Sequence, residues 1–275
     1  MNQTSTRYCN NCKNTVNRLH LVISVMESCP FCGTIFSDTK QTSSLSLSAN
    51  HSDVVFKKAS SLPKLTLDIP KLDKTLHFLT LNNRICISGI HTQTLIERIC
   101  VRAQLPHRYG GLDSNVLLVD GANSSDLYMC VNFAQQYGLD SHKILEKIIS
   151  SRAFTAYQLA DTIIHKVPLA IKQHNANILV ITNLLYYFTT DLNADTTQMK
   201  AILKEIVKSL SKIQNCMIVI SLGFATQYDY LLSELFTRTI HIEQRCNALS
   251  IQINDNGKKN SVILKKDELE TIPQH

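Results

Sequence analysis

The sequence predicts an α/β fold with a mostly parallel central sheet, C-terminal antiparallel strands and a small ribbon in front, and three observations carry this. Beyond Leu62, short apolar strand-like runs alternate with amphipathic helical ones. Strands that are apolar throughout belong to a parallel sheet covered on both faces. The stretch "RTIHIEQRCNALSIQINDNGKKNSVIL" breaks this alternation and holds three short strands in succession. Near the start, "YCNNC" and "SCPFCG" place two Cys-x-x-Cys pairs sixteen residues apart.

The ribbon, residues 1–37, rests on Cys9, Cys12, Cys29 and Cys32. A two-residue gap lets one tight turn aim two thiolates at one ion, and two such turns complete a tetrahedral sulfur shell. The expectation is a structural Zn2+, since four cysteines leave no open position for catalysis. A segment this small folds on metal-binding energy. A redox dithiol or a chance pairing is the alternative. Between the pairs, "RLHLVISVM" reads as a strand. Arg7, Lys13 and Arg18 could touch nucleic acid or form a solvated basic face.

Residues 38–61 are rich in Ser, Thr, Asn and Lys without periodicity and read as a flexible linker. Lys57 and Lys58 fall at its end. "FKKASSLPKLTLDIPKLDK" supplies five lysines against two aspartates. It reads as a solvated lead-in to the core, with contact to phosphate backbones as the alternative.

The core, residues 62–275, opens with the strand "RICISG". Leu95, Ile96, Ile99, Cys100 and Ala103 then form one apolar face at helical spacing. "NVLLVDG", the weaker "IISSRAF", "NILVITN" and "CMIVISLG" are the following strands. Thr155 and Gln158 form a capping box before "LADTIIHKVPLAIK", where Pro168 should kink or divide the helix. The clearest stripe is Met199, Ile202, Leu203, Ile206, Val207, Leu210 and Ile213, with Asp195 and Gln198 placed to cap it. Asn256 and Gly257 centre a hairpin turn in the final meander.

The net charge of +6 permits nucleic-acid contact without requiring it. No signal-peptide layout is present, and apolar runs such as "ANILVITNLLYYF" are too short to span a bilayer. The scattered Cys86, Cys100, Cys130, Cys216 and Cys246 argue for a reducing compartment and for core packing. The expected location is the cytoplasm, at the nucleoid if DNA is bound, with no membrane partner.

The order of these elements resembles the RecA/RadA recombinase family, closest to its archaeal and eukaryal type. "LDKTLHFLTLNNRICISG", "ERICVRAQLP", "GGLDSNVLLVDG", "AQQYGLDSHKILEKIISSRAFTAYQL" and "NILVITNLLYYF" follow that family's order over residues 72–264. The resemblance implies a RecA-like P-loop-NTPase core, with the last of these segments at the Walker B strand.

The family's phosphate loop is G-x-x-x-x-G-K-[ST], in which amides and lysine hold phosphates and the hydroxyl binds magnesium. Here "GIHTQT" follows the strand. Counting forward from Gly89 puts Thr94, Leu95 and Ile96 at the last Gly, Lys and Ser/Thr positions. Counting back from "QLP" puts Thr92 at the lysine. Gly89, Ile90, His91, Thr92 and Gln93 are therefore read as a vestigial phosphate loop, and no lysine occurs between Lys74 and Lys143. Where the family has a water-polarising carboxylate, this chain has Gly121, Ala122 and Asn123. Where Walker B ends in a metal-binding aspartate, it has Thr182 and Asn183. The segments at the family's two DNA loops, "YYFTTDLNADTT" and "SLGFATQYDY", hold no lysine or arginine, though Tyr186, Tyr187, Tyr228 and Tyr230 could stack on bases or pack. No Phe-based polymerisation motif is evident, so a self-assembled filament is not expected.

With these positions vacant, the resemblance implies a pseudo-ATPase that needs no ATP and has no catalytic residues. It would be an accessory or adaptor in DNA recombination or repair, partnered by a catalytic recombinase or another repair protein, with DNA as a further partner. The alternatives are a divergent ATPase in which Arg98 or Arg102 replaces the lysine, and a RecA-fold interaction module outside DNA metabolism.

Overall fold

The computed structural model describes residues 63–125, 127–190, 195–223 and 225–273, and the backbone of residues 6–8 and 15–17. In the N-terminal part, β1 (Thr6–Tyr8) pairs antiparallel with β2 (Thr15–Asn17), with Arg7 opposite Val16. Cys9 and Cys12 fall in sequence between these paired strands. The four cysteines, Lys13, Arg18, Lys57, Lys58, the linker and the strand expected between the cysteine pairs lie outside the described residues.

The segment "KLTLDIPKL" departs from the expectation of a solvated lead-in. β3 (Lys64–Leu65) pairs with β4 (Leu79–Thr80), and α1 (Pro70–Leu76) lies between them. Leu65, Leu67, Ile69 and Leu72 are all buried. Their alternate apolar positions supply one side of the core, and Asp73 fixes the bend by accepting hydrogen bonds from the amides of Leu67 (2.7 Å) and Ile69 (3.0 Å).

The central strands are β5 (Arg84–Gly89), β6 (Asn115–Asp120), β7 (Ile148–Arg152), β8 (Ala176–Thr182) and β9 (Met217–Ser221). The meander adds β10 (Arg238–Arg245), β11 (Ala248–Asp255) and β12 (Lys258–Lys265). They form one eight-stranded sheet in the order β12-β11-β10-β5-β9-β8-β6-β7. Every pair from β10 to β7 is parallel, and β10-β11 and β11-β12 are antiparallel. Asn256 and Gly257, both at positive φ, make the last hairpin turn as expected.

The period of two along each strand divides the core into two layers. Ile85, Ile87, Leu118, Val180 and Val219 face α2 (Thr92–Ala103), α3 (Tyr128–Gln136) and α4 (Ser141–Glu146). Cys86, Leu117, Leu179, Ile181 and Ile220 face α5 (Ala156–Asp161), α6 (Val167–Gln173), α7 (Tyr186–Thr190) and α8 (Thr196–Lys212). A short helix, α9 (Asp229–Leu232), joins the second layer, and α10 (Lys266–Glu270) joins the first.

Local signals behave as their chemistry requires. Thr155 Oγ1 accepts from the Gln158 amide (3.1 Å), and Gln158 reaches back to the Phe154 amide (2.9 Å), one residue earlier than a standard box. Pro168 sits in the first turn of α6, and a π-turn at Thr162–Lys166 joins that helix to α5. Asp195 caps α8 through the Thr197 amide (2.8 Å). Four of the five scattered cysteines are buried, and burial pushes the Cys86 and Cys216 thiols up to about 12. Cys246 departs from the core reading. It is exposed at φ 51° in the β10-β11 turn, where the chain reverses in solvent. Among the described residues, no helix is long and apolar enough to cross a membrane.

Candidate functional site

From β5 the chain crosses to β6 on one side of the sheet, and from β9 it crosses to β10 on the other side of β5. Ligands of open α/β sheets sit outside the carboxyl ends of strands at such a reversal. That edge carries Gly89, Asp120, Thr182 and Ser221.

The connection from β5 to α2 consists of Ile90 and His91 alone. Gly89 lies at φ +92°, and a Cβ there would come within 2.0 Å of the Ile242 carbonyl oxygen. The Ile90 amide donates to that same oxygen at 3.0 Å, so the start of the loop is bonded to β10. His91 turns through the left-handed region at φ 52°, and α2 begins at the next residue. A phosphate loop of the G-x-x-x-x-G-K pattern needs four residues between its glycines to curl its amides round an anion. Here the third and fourth of those positions, Thr92 and Gln93, are already helical. The Gln93 side chain donates to Glu97, which is buried and also accepts from the Cys130 amide at 3.2 Å. The N-terminus of α2 thus follows the strand after two residues.

Arg98 and Arg102 are fully committed elsewhere. Arg98 is buried and donates to four backbone carbonyls: Leu67 (2.6 Å), Asp68 (2.6 Å), Leu269 (3.1 Å) and Thr271 (2.8 Å). Its guanidinium also lies 5.3 Å from the Phe133 ring centroid. Burial holds its pKa below the ordinary value, partly offset by Tyr137 and Asp68. Arg102 donates to the Thr66 carbonyl (2.9 Å) and hydroxyl (2.7 Å) and to the Tyr109 carbonyl. Arg98 pins residues 67–68 and the C-terminal segment against α2, and Arg102 pins Thr66 and Tyr109.

At the end of β6, Asp120 is buried and its oxygens are occupied. Oδ1 accepts from the amides of Ala122 and Ser124 and from the Thr182 hydroxyl, each at 3.2 Å. Oδ2 accepts from the Ser125 amide at 2.8 Å, with Arg152 Nε at 3.9 Å. Burial alone would raise its pKa, but the amides of Ser125, Ser124 and Ala122 and the Thr182 hydroxyl together hold it below the ordinary value. This carboxylate organises its own loop. Gly121, the first position after "VD", has no room for a side chain in this arrangement, because a Cβ would lie 2.4 Å from the Thr182 carbonyl oxygen. At the end of β8, Asn183 takes φ 48°, its amide donates to Ser221 Oγ (2.8 Å) and its side chain reaches Ser124 Oγ (3.4 Å). The ends of β6, β8 and β9 are thus joined by hydroxyls and amides.

The four tyrosines divide. Tyr228 is buried and Tyr187 half-buried, as packing requires, while Tyr186 (47%) and Tyr230 (58%) are exposed. Among the described residues, no group of three or more His, Cys, Asp or Glu could hold a metal. Lys200, Lys204, Lys208 and Lys212 stand outside the sequence-predicted set, although their spacing of four along α8 is legible in the sequence. No sequence signal points to Glu97, whose burial follows from the packing of α2 on α3.

Comparison with known proteins gives a family match. The Rad51 family model matches residues 88–227, a little over half of the chain. A protein from Oryza sativa subsp. japonica, "Meiotic recombination protein DMC1 homolog A", is 25% identical over 122 residues, covering 43% of this chain and 35% of that protein. The matched region begins at Ser88, one residue before the candidate loop.

Proposed function

Since the chain belongs to the Rad51 family of the RecA/RadA recombinases, we propose that it is a non-hydrolysing member acting as an accessory or adaptor in DNA recombination or repair. The observation that carries this is the two-residue connection between Gly89 and α2, which leaves no turn for amides to encircle a phosphate. The bonded Asp120 loop and the Thr182–Asn183 strand end support the same reading, for the Asp120 oxygens are already occupied and Gly121 has no room for a side chain. The chain's own residues would therefore hold the fold and present surfaces, while a partner supplies the chemistry. The spacing of Cys9, Cys12, Cys29 and Cys32 supports a structural zinc in the N-terminal part.

A divergent ATPase would need a cation for the outer phosphates. Arg98 and Arg102 disfavour it, because each is held by backbone carbonyls on the flank of α2.

The partner is tested by affinity capture of the tagged full chain from its native cells with nuclease treatment. Recovery of a catalytic recombinase or repair nuclease is expected. Recovery of proteins with no repair component would transfer the fold to a role outside DNA metabolism.

A further inference from the structure

We propose that α8, with Lys172 of α6, is a track for the phosphate backbone of nucleic acid, on the helical layer away from the strand-end loops. The site deepens the DNA side of the proposed function and does not depend on the loss of hydrolysis.

Lys200, Lys204, Lys208 and Lys212 occupy one stripe of a 17-residue helix. Their steps of four residues are about 6 Å each and carry them over about 18 Å. Each step is close to the axial rise of two nucleotides in one strand. Like charges four apart weaken a helix, and α8 contains three such pairs in succession. The helix tolerates that opposition because its other stripe, with Met199, Leu203, Ile206 and Leu210, is buried in the core. Lys212 in the last turn suits the helix dipole and Lys208 has Glu205 beside it, but no such gain attends Lys200 or Lys204.

The row is also only partly neutralised. Lys208 has Glu205 at 3.5 Å, both exposed. Among the described residues, no acidic group lies within 4.0 Å of Lys172, Lys200, Lys204 or Lys212. Elsewhere on the surface several lysines are paired: Lys71 meets Glu268 at 2.9 Å, Lys166 meets Asp161 at 2.8 Å and Lys266 meets Glu270 at 3.5 Å. A groove of about 470 Å³ runs between α6 and α8, with Ile164, Ile171 and Ile213 in its wall and Lys172, Lys208 and Lys212 at its border beside the single carboxylate of Glu205.

The lining favours nucleic acid over an acidic protein. It holds no Trp, Tyr or Arg, the residues that anchor protein partners, and lysine is depleted in such interfaces. Lysine binds phosphate as a mobile point charge, and without an aromatic platform the contact reads no base. Binding should therefore be independent of sequence.

The test is titration of the full chain with a 20-base-pair duplex of random sequence across 50 to 200 mM salt. Five lysine–phosphate contacts predict a slope of log K against log salt near −4.5, a loss of about 500-fold over that range. The variant Lys204→Gln/Lys212→Gln should bind at least tenfold more weakly at 50 mM. Its slope should be shallower by about 2, with an unchanged melting temperature because both side chains are exposed. Three results would overturn the site. These are no duplex binding by the wild type at 50 mM, an affinity and slope unaltered by the double substitution, or polyglutamate of equal charge bound as tightly as the duplex. The last would assign the row to acidic protein segments. None of these outcomes bears on whether a recombinase is captured.

Discussion

Arg98→Met should destabilise the protein by about 3–5 kcal/mol, the range for removing one member of a buried charged network. The substitution keeps an unbranched apolar stem but strands the carbonyls of Leu67, Asp68, Leu269 and Thr271. Relief of the guanidinium's own desolvation works in the other direction, since burial already disfavours its charge. That relief cannot cancel the loss, because backbone carbonyls cannot be exchanged for apolar groups. For a core of this size the melting temperature should fall by about 10 °C. Thermal melts of the full chain read this directly. The outcome also bears on the ATPase alternative, in which Arg98 serves nucleotide and its loss would alter nucleotide affinity at near-normal stability.

Asp120→Asn should cost about 2–3 kcal/mol at neutral pH, because the amide that replaces one oxygen faces backbone N–H donors. The pH dependence has a definite sign. The folded-state pKa of Asp120 lies below its ordinary 3.8. Its contribution is therefore whole above about pH 5 and is lost as pH falls past the unfolded value and through the lowered folded one. The stability gap between wild type and variant should hold steady from pH 7 to about 5 and narrow below about pH 4. Urea melts at each pH measure it. A carboxylate reserved for a metal would behave otherwise, since its Asn variant would be as stable as the wild type or more so without the ion.

Much of the architecture was legible because apolar runs and helical stripes report burial directly. The five parallel strands from β5 to β9, the meander with its Asn256–Gly257 turn, and the caps at Thr155 and Asp195 follow from period and residue type. The burial of residues 65–69 was not legible, because it depends on Arg98 and Arg102 some thirty residues away. The lysines around that segment dominate its composition and suggest solvent. Cys246 is exposed because it occupies a left-handed turn, which its residue type does not announce. At the candidate site, the letters show that no lysine lies between Lys74 and Lys143. The length of the β5–α2 connection and the enclosure of Asp120 are facts of backbone geometry, visible only once α2 is seen to begin at Thr92.

The most direct test of a non-hydrolysing role is phosphate release from Mg–ATP by the purified full chain, with and without DNA, beside a Thr92→Ala variant. The two-residue loop predicts no turnover above the variant under either condition. Turnover by the wild type that Thr92→Ala abolishes would contradict the account and return the chain to the ATPases.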